Sequence, residues 1–510
     1  MRWLKWFILD HSITFFMHTH FVKRILFFVI TILAVYYSFS QPIPVSKEDN
    51  DLPKDYLPAS FHAGRREALR QIMPANSVVA VFAFPTRTFS NDVDYLYHAN
   101  PDMYYFSGYK EPHSVLFIFK EEQTDSAGSK FSEVLFVQKR NAQAEQWTGR
   151  RLGTEGVKNN LGITPALNGE DFRKFNIDFA KFDKIIFDRF PIDIPNGRDN
   201  ADLYDLVQQF KQKAAIPEDY AKEKRFDNRS YRQLTGMLRE IKTPEEMTLI
   251  RKAVEISCQG QNEVMKSVRP DMSELEIQGL HEYVHKKYGA EGVGYGSIIG
   301  SGENGCVLHY MENAKTKIGN SLLLMDVGAE YHGYTADVTR TVPADGKFSE
   351  EEKIIYQLVY DAQESAFKLL KDGAKWSEAG VAARNVIAEG LVKHGIIKDK
   401  KDVSKYYPHG LSHHIGLDVH DRGFSDTLRK DMVITIEPGI YIPEGSDCDK
   451  KWWSIAVRIE DDARITETGY ELLSHFAPRK IEDIEKMIAQ KSALDDFKLP
   501  PLKSAEKKAF

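Results

Sequence analysis

The chain has 510 residues, with 68 lysines and arginines against 74 aspartates and glutamates and a formal net charge of −6. The charges are interspersed, and no basic patch of the kind that binds nucleic acid stands out. Three cysteines, Cys258, Cys306 and Cys448, are too few for a disulfide framework and lack zinc-finger spacing, although one pair stays open in an oxidising compartment.

At the amino terminus Lys23-Arg24 precedes the apolar run Ile25 to Tyr37, and Ser38-Phe39-Ser40-Gln41 follows. A basic segment, a short apolar core and small residues at 38 and 40 form a secretory signal pattern. A membrane-spanning helix needs about 20 apolar residues. Residues 1–40 are therefore expected to be a cleaved signal peptide, with the mature chain exported to a periplasm or outside the cell. The alternative is a membrane anchor over residues 25–40. The pattern does not decide between Met1 and Met17 as the start. Residues 41–60 carry four prolines and read as a linker.

A first domain is expected over 61–225, with strands at Ser77 to Phe84, Ser114 to Phe119, Glu133 to Val137 and Lys184 to Phe187. Interleaved with helical stretches, they predict an α/β fold. The aromatic stretch Tyr95 to Gly108 reads as core. Trp147, beside Arg150 and Arg151, is a candidate to line a substrate entrance.

A second domain over 230–475 opens with Thr243-Pro244-Glu245-Glu246, an N-cap, a proline at the first helical position and a capping-box glutamate. Ser273 with Glu276 and Ser349 with Glu352 predict the same device. The apolar run from Ser321 ends at Asp326, and the run Tyr334 to Thr341, which contains Asp337, alternates and is rich in β-branched residues; both read as strands. A hairpin whose turn is centred between Tyr331 and His332 would set Asp326 opposite Asp337, with Cβ atoms about 4.5–5.5 Å apart. Two carboxylates that close repel unless protonated or bridged by cations, and two divalent ions about 3.5–4 Å apart fit between such groups.

His409 to Asp421 holds four of the chain's 16 histidines: His409, His413, His414 and His420. Histidine is the commonest metal ligand and the usual proton carrier near neutral pH. His409 and His413 have the spacing of a zincin helix, but Gly410 stands where that motif has glutamate, and Gly416 argues against a helix. Downstream, the strand Met432 to Ile436 stops at Glu437. Ile455, Val457 and Ile459 then alternate with Arg458 and Glu460, which share the other face. An acid at the end of an apolar strand is costly unless compensated, and here there are four. From Arg479, within 476–510, the chain reads as a charged helix and tail.

In these contexts the sequence resembles the pita-bread metallopeptidases, and within them the Xaa-Pro aminopeptidases (aminopeptidase P). The match is close over roughly 230–475. It is weaker over 85–155, through Tyr95 to Gly108 and Gln146 to Gly153. The resemblance implies an amino-terminal α/β domain followed by a pita-bread catalytic domain. It implies two divalent ions held by Asp326, Asp337, His413, Glu437 and Glu460. His309, His409 and His420 match histidines that hold peptide carbonyls and stabilise the tetrahedral intermediate. Arg458 matches an arginine that supports a ligand carboxylate, and Tyr441 is a candidate contact near the metals. The expected activity is release of the residue before proline at the second position, by attack of a metal-bridging hydroxide, with Glu437 shuttling the proton. One nitrogen and several oxygens favour Mn2+, with Zn2+ and Co2+ as alternatives. The partners are peptides with an amino-terminal Xaa-Pro; a homo-oligomer is left open. The rival readings are an Xaa-Pro dipeptidase of the prolidase type and a non-catalytic pita-bread binding module.

Overall fold

The computed structural model describes residues 54–499, apart from 126, 192, 198, 199 and 496–498. The expected signal peptide and most of the linker lie outside the described residues. The chain forms two compact units, one centred on Pro74–Asp227 and one on Asn228 onward together with Gly64–Met73.

The first unit is built on a five-stranded sheet. In chain order the strands are β1 (Ser77–Phe82), β2 (Val115–Thr124), β3 (Lys130–Val137), β4 (Ala166–Asn168) and β5 (Lys184–Phe187). Their spatial order is β4-β3-β2-β1-β5. β1 pairs antiparallel with β2 and parallel with β5. Phe117, Phe136, Phe172, Phe179 and Phe210 fill one core against it. The aromatic stretch divides. Met103 to Phe106 are buried, as expected of core, but Tyr95 is exposed and Leu96 is 90% exposed. Only the second half lies on a helix, Pro101–Ser107, that packs inward.

The second unit has the two-fold plan of a pita-bread domain. Helices α1 (Pro244–Ser267) and α2 (Glu274–Lys287) pair over one set of strands. Helices α3 (Glu350–Phe367) and α4 (Trp376–Lys393) pair over another. Thr243 with Glu246 and Ser349 with Glu352 form complete capping boxes. Ser273 forms only the first half of the device, accepting from the Glu276 N–H at 3.0 Å. The first-turn acid that turns inward is instead Glu274.

The hairpin register differs from the sequence expectation by two residues. Tyr331 pairs with Tyr334 and Asp326 with Thr339. The turn therefore falls on His332 and Gly333, both at positive φ, 50° and 86°. Gly333 adopts this conformation without strain, and positive φ at both central residues matches the twist of a two-residue hairpin. Asp337 becomes the diagonal neighbour of Asp326 rather than its direct partner. A shift of two residues keeps both on one face, within reach of each other. In the other half, Ile436 pairs with Asp461 and Gly439 with Arg458. That register brackets Glu437 opposite Glu460.

A buried glutamine secures each strand pair. Gln261 on α1 donates through Nε2 to the carbonyls of Met325 and Val338, at 3.0 and 2.8 Å. These residues adjoin Asp326 and Asp337. Gln363 on α3 donates to the carbonyls of Ile436 and Ile459, at 2.9 and 3.1 Å, and these adjoin Glu437 and Glu460. Leaving a buried polar group unsatisfied costs about 1–3 kcal/mol. Gln261→Leu and Gln363→Leu are each expected to destabilise the second unit by about that amount, measured by denaturant unfolding at fixed metal concentration. Losses below about 0.5 kcal/mol, the range of ordinary surface changes, would contradict the clamping role.

Candidate metal centre

The four acids and the histidine segment meet in a cavity of about 460 Å³ in the second unit. Asp326, Asp337, His413, Glu437 and Glu460 line it, with His309, His409, His420 and Arg458. Trp147, on the first unit, is 85% exposed and is not among the lining residues. Tyr441 lies behind the lining, buried, and reaches the site through hydrogen bonds.

His413 rides on an extended segment and not on a helix. The Thr435 N–H donates to the His413 carbonyl at 2.9 Å, and the Glu437 N–H donates to the Leu411 carbonyl at 2.8 Å. The segment thus runs beside the strand Val433–Ile436, and the zincin geometry is absent. At its far end Asp421 is buried between Arg239 and Lys242, at 2.5 and 3.2 Å. Those cations hold its carboxyl below the usual range although burial pushes the other way. The Nδ1–H of His413 donates to the His414 carbonyl at 3.0 Å. Its Nε2 faces the carboxylates, 3.5 Å from Asp337 Oδ2, 3.5 Å from Glu437 Oε1 and 4.0 Å from Glu460 Oε1.

Several supporting groups were not legible as such in the sequence. The Tyr295 hydroxyl lies 2.6 Å from Asp326 Oδ1 and 2.6 Å from Asp337 Oδ1. One hydroxyl has one proton, so it can donate to only one of them. The Thr339 hydroxyl donates to Glu460 Oε2 at 2.6 Å. The Asp337 N–H donates to Asp462 Oδ2 at 3.0 Å. Thr339 and Asp462 stand two residues beyond Asp337 and Glu460, at positions that share a face with them, which is the signal that could have found them. Tyr295 lies between Gly294 and Gly296 and carries no such signal.

A second chain of contacts starts at His409. Its Nδ1–H donates to the Gly410 carbonyl at 2.8 Å, leaving Nε2 to accept from the Tyr441 hydroxyl at 2.8 Å. Burial drives the His409 pKa down to about 4, so the ring is neutral. Arg458 donates to Tyr441 Oη at 2.9 Å and to Asp326 Oδ2 at 2.6 Å. His420 packs edge-on to His413, ring centres 4.3 Å apart, and burial lowers its pKa.

The electrostatics fit a cation-binding set. Burial raises the Glu437 carboxyl to about 8. Burial, then the neighbouring carboxylates, raises Glu460 well above the usual range. Asp326 is raised by burial despite Arg458. Asp337 is lowered: burial would raise it, but His413 prevails. His413 is raised to about 9, as Asp337 and Glu437 overcome burial. Two ligand atoms about 2.1 Å from one ion at a tetrahedral angle lie roughly 3.4 Å apart. The separations of His413 from Asp337 and Glu437 match this, and the Asp337, His413 and Glu460 ligand atoms lie within 4.8 Å of one another. Four carboxylates and one imidazole suit two hard divalent ions in both charge and donor type.

The metal-free protein therefore carries protons that metal must displace. Stability gained from protonated His413 is lost as pH rises through about 9. Ionising Glu437 weakens the fold as pH rises from 4.5 towards about 8. Both signs make the metal-free form less stable, and metal binding tighter, as pH rises. Calorimetry of Mn2+ binding at pH 7 in buffers of different ionisation enthalpy is expected to show net proton release. Binding without proton release, and with affinity flat from pH 6 to 8, would contradict this charge balance.

Known families and structures resemble this chain over both domains. Residues 248–467 match metallopeptidase family M24, and residues 62–185 match the aminopeptidase P N-terminal domain. The Xaa-Pro aminopeptidase of Escherichia coli (strain K12) is 34% identical over 437 residues, covering 83% of this chain and 96% of that protein. The Xaa-Pro aminopeptidase of Haemophilus influenzae is 32% identical, covering 86% and 98%. The structure of E. coli aminopeptidase P with the inhibitor Pro-Leu superposes with a TM-score of 0.74 at 32% identity, covering 85% of this chain and 98% of that one. With both domains matched and a metal-binding set at the centre of the second, the chain belongs to metallopeptidase family M24, in its aminopeptidase P branch.

Proposed function

We infer that the protein is a two-metal aminopeptidase. It releases the amino-terminal residue from peptides with proline in the second position, with Mn2+ as the working ion. The observation that carries this reading is the convergence of five potential ligands and three further histidines on one cavity, in a chain matched over both domains by aminopeptidase P. Asp326, Asp337, His413, Glu437 and Glu460 would hold the ions. Bound divalent ions supply a water of lowered pKa and polarise a carbonyl.

The chain's own groups do the rest. An Xaa-Pro bond is a tertiary amide with no N–H at proline, so the site reads the ring by shape and the flanking carbonyls by hydrogen bonds. His309 and His420 line the cavity and serve that role. His409 and Tyr441, whose own hydrogens go to Gly410 and to the His409 ring, hold the Arg458 guanidinium at the cavity wall, where its positive charge opposes oxyanion charge as it develops. Proline nitrogen must gain a proton as it leaves. Glu437, half-buried in the same wall of the cavity, takes up the proton that the attacking water loses and passes it to that nitrogen.

Arg-Pro-Pro, Gly-Pro and Ala-Ala-Ala separate the readings. Arg-Pro-Pro is expected to be cleaved fastest by the Mn2+-loaded enzyme, and His420→Ala to slow it by roughly 100-fold, the scale of one lost oxyanion or carbonyl donor. Faster hydrolysis of Gly-Pro would point to a dipeptidase, and rapid cleavage of Ala-Ala-Ala to a general aminopeptidase. Unchanged cleavage by His420→Ala would remove that histidine from the site.

Export is part of the same proposal, supported by the Lys23 to Gln41 pattern. Amino-terminal sequencing of the mature protein is expected to begin at Gln41. An intact amino terminus in the membrane fraction would favour the anchor, and one in the cytosol would refute export.

A further inference from the structure

His309 sits on a largely irregular loop between β6 (Ile298–Ser301) and β7 (Leu322–Val327). Apolar anchoring of the loop is partial: Leu308 and Tyr310 pack against Ile298, Leu324, Tyr441 and Ala456, whereas Val307 is 55% and Met311 60% exposed. That packing fixes the residues on either side of His309, and a polar device ties Tyr310 back to the start of the loop.

That device is one carboxylate. Glu274, the first residue of α2, has no exposed surface. Its Oε1 accepts from the Ser301 N–H and the Ser301 hydroxyl, both at 2.8 Å, and from Asn304 Nδ2 at 3.1 Å. Its Oε2 accepts from the Lys315 N–H at 2.9 Å and the Tyr310 hydroxyl at 3.0 Å. Ser301 at the start of the loop and Lys315, beyond His309 within it, thus close on the same group, and so does Tyr310, the residue after His309. One turn along the helix, Gln278 accepts from Asn313 at 2.8 Å, and Asn313 accepts from the Ile299 N–H at 3.0 Å. A buried carboxylate is costly alone, but charge-assisted bonds from this many donors compensate it. Its place in the first helical turn adds a favourable dipole.

We propose that Glu274 is the positioning residue for His309. Its carboxylate closes the loop from 301 to 315 so that the imidazole is presented to the cavity. Every partner donates, two of them through main-chain N–H groups that cannot reverse, so the position requires a group that only accepts. Glutamine would set an NH2 against at least one of those donors. The role in substrate turnover rests on the aminopeptidase reading; the closing of the loop does not.

The test is a double-mutant cycle on the Mn2+-loaded enzyme with Arg-Pro-Pro, joined to hydrogen–deuterium exchange. Glu274→Gln is expected to lower kcat/KM about tenfold, the scale of a lost orienting partner. In the His309→Ala background the same change is expected to have less than about a twofold effect, because a residue acting through another is non-additive with it. The Ser301 and Lys315 amides are expected to exchange about tenfold faster on loss of their acceptor, with residues 409–421 and the metal content unchanged. Equal losses in both backgrounds, or unaltered exchange at Ser301 and Lys315, would overturn the proposal. Should Glu274→Gln fail to fold, Tyr310→Phe removes one of the donors. A smaller loss confined to the His309-containing background supports the assignment, and a loss that persists without His309 overturns it. If the wild type leaves Arg-Pro-Pro uncut, the substrate reading fails, and exchange alone decides whether Glu274 holds the loop.

Discussion

The second unit is organised around negative charge crowded into a cavity with few cations of its own. Asp326, Asp337, Glu437 and Glu460 face one space. Arg458 touches Asp326 at 2.6 Å, and His413 approaches the other three. Without further positive charge some of these acids must stay protonated, and the directions of their pKa shifts say so. The Tyr295 hydroxyl cannot donate to two ionised aspartates at once. On the proposed two-metal reading, divalent ions in this charge-rich centre would offset the crowding.

Two similar halves build that centre, each with a helix pair, a strand pair, two acids and one buried glutamine. The glutamines bond carbonyls next to the acids and leave the carboxylates themselves free to face the cavity. The halves are not equivalent in detail. Gln363 Nε2 also lies 2.9 Å from Asp461 Oδ2, so that its two hydrogens are shared between this oxygen and the carbonyls, and Gln363 Oε1 accepts from Arg479 at 2.8 Å. One acid pair is diagonal on its hairpin and the other directly opposed. Period-2 geometry makes both arrangements converge, since each keeps its two acids on one face.

This explains what could be read from the sequence and what could not. Acids at the ends of apolar strands are visible because burial makes them expensive, and the structure places them at those strand ends. The pita-bread plan and the α/β first domain followed from strand and helix punctuation together with the resemblance. The hairpin register was missed by two residues because turn choice depended on the φ preferences of His332 and Gly333. Tyr295 was invisible because a tyrosine between glycines has no local pattern. Glu274 was passed over for Glu276, since capping rules describe the first turn's exposed side and not the contacts of a buried one. Contacts over 27 to 41 residues, such as those to Ser301 and Lys315, leave no periodic trace.

The account stands on the claim that the crowded acids are a ligand set for two ions. The most direct measurement is an anomalous-difference map from crystals of the protein soaked in Mn2+. Two peaks are predicted inside the cavity, one of them in contact with His413 Nε2, with the four carboxylates divided between them. A cavity without peaks at saturating Mn2+, or peaks only on surface acids, would contradict the claim and return the cluster to an unexplained store of buried charge.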